Sequence, residues 1–147
     1  MNNYLICVDA SFAINLLNSK SMDSPFMQLW ETWQINSVTI IAPTLFYYEI
    51  TNALHRMNQA NLLTPEDTEK ALQDALNLGI VLYGNAQISQ LHERAITLAK
   101  MLKLPAAYDA HYLALSDLVK AEFYTADKRL YNCVKSSFNW VHFISHT

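Results

Sequence analysis

Glycine is nearly missing from this chain of 147 residues, which has only Gly79 and Gly84. Glycine-rich phosphate loops and dinucleotide-binding turns need several glycines at fixed offsets, so neither can be built here. Cysteine is as scarce. Cys7 and Cys133 lie far apart, and Cys7 sits in an apolar run that reads as a buried strand. Two buried free thiols are expected rather than a disulfide or a metal pair, which fits a reducing, cytoplasmic setting. The five histidines, His55, His92, His111, His142 and His146, show no metal-ligand spacing with each other or with the cysteines, so no zinc site is expected. The apolar runs are too short to cross a bilayer as helices. The start, Met1-Asn2-Asn3-Tyr4, lacks the basic and then apolar pattern of an export signal, and no export is expected. Charge is thin as well: charged residues make up 16%, with a formal net charge of −3. That balance weighs against a module that holds nucleic acid by phosphate attraction alone. It weighs less against a metal nuclease, whose carboxylates are offset once cations bind.

Apolar side chains are abundant, at 52% of residues, so a continuous core is affordable and disorder is not expected. Residues 1–147 fit one domain of ordinary size. Apolar runs at 4–8, 38–42, 80–83, 122–125 and 140–144 read as strands. Helices are expected at 11–17, from Pro25 to about 34, at 45–59, 65–78, 89–102, 109–119 and 128–134, with Thr64 as an N-cap and Gly79 as a stop. Strands alternating with helices predict a three-layer α/β/α sandwich around a mainly parallel sheet.

In such a sheet ligands bind beyond the carboxyl ends of the strands. Asp9 follows the first strand and Asp127 the fourth, while Glu49 lies near the start of the helix after the second strand. Asp109 opens the helix before the fourth strand. Four separated acids are thus delivered to one sheet edge. Each has an ordinary structural reading. Asp9 and Asp127 can be N-caps, Asp109 a cap or helix-dipole partner, and Glu49 half of a salt bridge. Together they repel one another by roughly 4 kcal/mol per close pair at an effective dielectric near 20, and so call for cations. An all-oxygen acidic set suits Mg²⁺ or Mn²⁺. Ser11 and Thr125, each two residues from an acid, can bond a carboxylate or serve as local caps. Arg56, Lys128 and Arg129 are candidates for substrate phosphate. Asp117 is eight residues beyond Asp109 on the same helix, too far for one ion to bridge, and reads as surface. Trp30, Trp33 and Tyr47 read as core or interface.

The segments Val8-Asp9-Ala10-Ser11, Tyr48-Glu49-Ile50-Thr51-Asn52, Tyr108-Asp109-Ala110-His111-Tyr112 and Thr125-Ala126-Asp127-Lys128-Arg129 resemble the four acidic motifs of PIN domains, in the family's order. The resemblance is nearest to VapC-type toxins of toxin–antitoxin pairs. It implies a metal-dependent endoribonuclease, with Asp9, Glu49, Asp109 and Asp127 catalytic and metal-positioning and with Ser11, Asn52 and Thr125 in support. It also implies RNA as substrate, a homodimer, and a cognate antitoxin whose tail blocks the acidic pocket. At Arg129 some members carry a further acid. Two other readings stand beside this one. A Mg-dependent phosphatase of this topology would want a second Asp at position 11, where Ser11 stands, and a phosphoreceiver would want an acidic pair ahead of its reactive Asp. The third is a PIN fold that binds RNA or protein without turnover.

Overall fold

The computed structural model describes residues 4–146, so Met1, Asn2 and Asn3, on which most of the export expectation rests, lie outside it. The chain runs β1 (Leu5–Val8), α1 (Ala10–Leu17), α2 (Pro25–Ile35), β2 (Thr39–Pro43), α3 (Phe46–Gln59), α4 (Pro65–Leu76) and β3 (Val81–Tyr83). It continues through α5 (Leu91–Met101), α6 (Tyr108–Val119), β4 (Glu122–Thr125), α7 (Lys128–Val134) and β5 (Val141–Phe143). These elements lie within about two residues of where hydrophobic periodicity puts them.

All strand pairs are parallel, and the sheet order is β3-β2-β1-β4-β5. The chain builds outward from β1 to β3, then returns to place β4 on the other side of β1. Right-handed crossovers therefore put α1 to α4 on one face and α5 to α7 on the other. The aromatic contacts follow this division along β4. Phe123 stacks with Tyr112 of α6, while its neighbour Tyr124 meets Trp33 of α2. Side chains alternate across a strand, so these two rings address opposite layers. Phe12 of α1 packs against both Phe26 and Trp33 to anchor the α1–α2 layer. Trp33 is thus core, as expected; Tyr47 donates its hydroxyl to the Ala75 carbonyl and joins α3 to α4.

Helix ends follow their sequence signals. Thr64 accepts a hydrogen bond from the Asp67 N–H with Pro65 at the first helical position. Gly79 adopts φ +76, a conformation that costs glycine least. Cysteine exposure departs from expectation. Both thiols are free, but only Cys7 is buried; Cys133 is exposed on α7, where a short helix has one face free of the core. Among the described residues no helix is long and apolar enough to cross a membrane.

Candidate active site

The strand order makes β1 and β4 neighbours on either side of the point where the chain changes direction, with Val8 level with Tyr124. Asp9 leaves the end of β1 and Asp127 lies just past the end of β4. The helix α3 leaves the end of β2 and α6 leads directly into the start of β4, so their first turns, with Glu49 and Asp109, lie at that same edge.

Asp9 is 5% exposed and fully engaged. Its Oδ1 accepts from Ser11 Oγ at 2.6 Å and from the Phe12 N–H at 3.0 Å, and its Oδ2 accepts from Thr125 Oγ1 at 2.5 Å. Asp9 is therefore the N-cap of α1 and also the meeting point of two hydroxyls from different strand ends. The hydroxyls are held in turn: Ser11 Oγ accepts from the Ala126 N–H, and Thr125 Oγ1 accepts from the Asp127 N–H. Burial raises the Asp9 pKa to about 6. The hydrogen bonds from Ser11, Thr125 and Phe12 oppose that rise, and repulsion from Asp109 adds to it.

Among the described residues Glu49 has no basic partner. Its Oε1 accepts from the buried Tyr112 hydroxyl at 2.6 Å. Burial raises its pKa, the Tyr112 bond lowers it, and Asp109 raises it further. Asp109 stands in the first turn of α6 and is not its N-cap, which is Ala107. Burial raises the Asp109 pKa, and so does the charge of Asp127. Asp127 caps α7, accepting from the N–H groups of Arg129 and Leu130. Asp109 is thus the hub of a chain of repelling carboxylates. Among the described residues, no ion pair involves any of the four acids.

The supporting residues divide. Ser11 and Thr125 are built into the site. Asn52 and Arg56 join Glu49 along a groove of about 410 Å³ whose opposite wall is Ala10, Ser11, Ile14 and Asn15 of α1. A larger hollow of about 540 Å³, farther along α1 and α3 toward α4, holds none of the four acids. Lys128 and Arg129 are exposed beside Asp127. Asp117 is apart from the site and pairs with Arg94 at 2.7 Å. His92 and His111 prove to be neighbours, Nδ1 to Nε2 at 2.9 Å, brought together by packing of α5 on α6 and not by sequence spacing. Tyr112 went unnoticed in the sequence, although its place three residues after Asp109 puts it on nearly the same helix face.

The donor set is carboxylate and hydroxyl oxygen throughout, which suits a hard divalent cation. Among the described residues, no group of three or more His, Cys, Asp or Glu side chains is placed to hold a metal ion. An open edge of mutually repelling carboxylates fits a hydrated cation held by one or two protein oxygens better than a cage would.

A parallel sheet with such an acidic edge at its switch point defines the class of α/β domains suited to hold a divalent cation there. A PIN domain family model matches residues 6–135. Over 126 residues the chain is 32% identical to VapC ribonuclease Mb0985 of Mycobacterium bovis and to ribonuclease VapC9 of Mycobacterium tuberculosis. The match covers 86% of this chain and 88% of each relative. The chain belongs to the PIN-domain family, among the VapC ribonucleases. Solved structures agree on the fold. PAE2754 from Pyrobaculum aerophilum has a TM-score of 0.67 at 18% identity, over 95% of this chain and 84% of that one. VapC20 of Mycobacterium tuberculosis, described as a sarcin-ricin loop cleaving toxin, has a TM-score of 0.59 at 14% identity, over 90% and 95%. A toxin–antitoxin complex from Klebsiella pneumoniae has a TM-score of 0.56 at 17% identity, over 92% and 94%.

Proposed function

We propose that this chain, acting as one domain, is the toxin ribonuclease of a toxin–antitoxin pair. It hydrolyses RNA phosphodiester bonds with Mg²⁺ or Mn²⁺ positioned by Asp9, Glu49, Asp109 and Asp127. The observation that carries this reading is the repulsion linking Asp109 to Asp9, Glu49 and Asp127, with no basic side chain among the described residues paired to any of them. Bringing these carboxylates together costs stability at neutral pH, and positive charge supplied from outside offsets that cost. A bound cation supplies Lewis acidity toward the phosphate and lowers the pKa of an attacking water.

The protein's own groups do the rest. Asp9 is pinned by three donors and presents a carboxylate of fixed orientation. Glu49 is held through one oxygen by Tyr112, which leaves the other free to face the groove. A carboxylate with raised pKa, as Asp109 and Glu49 have, is suited to take the proton of the attacking water. Arg56, on the groove beside Glu49, and the exposed Lys128 and Arg129 offer contacts for flanking phosphates. The named relatives support RNA as substrate, and the toxin–antitoxin complex among the structural neighbours supports an antitoxin partner. A homodimer and a cytoplasmic location belong to the same reading.

The test is cleavage of a mixed single-stranded and structured RNA pool with Mg²⁺, Mn²⁺ or EDTA, using the parent and Asp9→Asn in parallel. Cation-dependent cutting by the parent alone is expected. Equal cutting by both proteins would overturn the assignment of Asp9. Metal-independent RNA binding without cutting would replace the nuclease with a binding module.

A further inference from the structure

We propose that Tyr48 and Tyr108 are base-stacking residues that grip unpaired RNA on either side of the scissile phosphate. This rests on the ribonuclease reading above and adds a substrate preference to it. Tyr48 is 80% exposed and Tyr108 67% exposed. Among the described residues the only other exposed Phe, Tyr or Trp ring is Tyr4, which precedes β1 at the opposite edge of the sheet. Neither Tyr48 nor Tyr108 makes a ring contact or a hydroxyl hydrogen bond within the described residues, whereas Tyr47, Tyr112, Tyr124 and Tyr131 do.

Their positions are the second observation. Tyr48 immediately precedes Glu49 and Tyr108 immediately precedes Asp109, in the first turns of the two helices that begin at the acidic edge. Tyr108 lies one turn before Tyr112, on the same side of α6 as the residue whose hydroxyl reaches Glu49. Tyr48 lies one turn before Asn52, which lines the groove beside Glu49. Two solvent-exposed rings therefore stand next in sequence to Glu49 and Asp109, on the first turns of the helices that carry these acids.

A nuclease of formal charge −3 gains little from general attraction to phosphates. It has to hold its substrate by other means, and stacking serves because every base offers a π face. Bases within a duplex already stack on each other and are closed to such rings. The expected substrate is thus a loop or an unpaired strand.

Binding is measured first, by fluorescence anisotropy of a labelled single-stranded RNA pool and a blunt RNA duplex, on metal-free Asp9→Asn protein. Adding Tyr48→Ala or Tyr108→Ala should each weaken single-strand binding on the order of tenfold and leave duplex binding within about twofold. Phe at either position should restore it and Leu should not. In the otherwise unaltered enzyme the same substitutions should act mainly on KM. Unchanged binding, or Leu performing as well as Phe, would overturn the proposal. So would conversion of a dimer to a monomer by either Ala variant, which would assign the rings to a second copy of the chain. If the parent cuts RNA in an Asp9-dependent way but the Ala variants bind normally, stacking alone fails. If no RNA is cut with any cation while the rings still govern binding, the nuclease reading fails and stacking stands.

Discussion

Asp9 shows how one residue can be both an ordinary structural part and the centre of a reactive site. It caps α1, as a lone Asp after a strand commonly does, and it also gathers Ser11 and Thr125 from opposite ends of the chain. With its pKa raised to about 6, the folded chain binds this proton more tightly than the unfolded chain, where an Asp titrates near 3.8. Stability from this group is therefore present at low pH and is lost as pH rises from about 4 through about 6, by up to roughly 3 kcal/mol for a two-unit shift. The raised pKa values of Glu49 and Asp109 act in the same direction. Asp9→Asn keeps the size and one acceptor oxygen, puts an NH₂ donor in place of the other, and removes the charge. In EDTA, urea unfolding of the parent should show stability declining from pH 4.5 to pH 7, and Asp9→Asn should show a much flatter profile while losing RNA cleavage. Parallel profiles would mean that Asp9 is not a strained buried charge.

At the scale of helices and strands, the contact that matters most is that between α3 and α6, made at the site by Tyr112 and Glu49 at 2.6 Å. Removing the hydroxyl in Tyr112→Phe keeps the ring that stacks on Phe123 and frees the Glu49 carboxylate to wander. The expected result is about tenfold lower kcat, with a stability loss of about 1 kcal/mol, the net worth of one hydrogen bond. A steady-state assay beside a denaturation curve would separate these two effects, and undiminished kcat would remove Tyr112 from the site. This pair also marks where sequence reading runs out. The elements and the four acids were legible because apolar period, caps and strand ends are local signals. Glu49 and Tyr112 are 63 residues apart, and their meeting depends on how α6 lies across β1 and β2. The same holds for Arg94 with Asp117 and for His92 with His111, which helix packing joins and no local spacing announces. The exposure of Cys133 was missed for a related reason: an apolar residue on a seven-residue helix can face either way until the sheet behind it is in place.

At the scale of the molecule, the parallel sheet concentrates negative charge. The formal net charge of −3 is modest, yet four acids spread from position 9 to position 127 share one edge, while the paired carboxylates Asp74, Asp117 and Glu122 lie elsewhere. The fold therefore carries a repulsive load, and on the proposed reading a divalent cation would relieve it by binding the native state far better than the unfolded chain. By mass action, a cation at about a hundred times its Kd adds about 2.7 kcal/mol, which for a chain of this size is a rise in Tm of roughly 5–10 °C. Mg²⁺ and Mn²⁺ should both raise the Tm of the parent at pH 7.5. The rise should shrink below about pH 6, where Asp9 takes up its proton, and should be largely absent in Asp9→Asn and Asp109→Asn. Calorimetric scans with and without EDTA would read this directly. An equal rise in parent and variants would place the cation elsewhere on the surface, and the acidic edge would then need another explanation for its lack of basic partners.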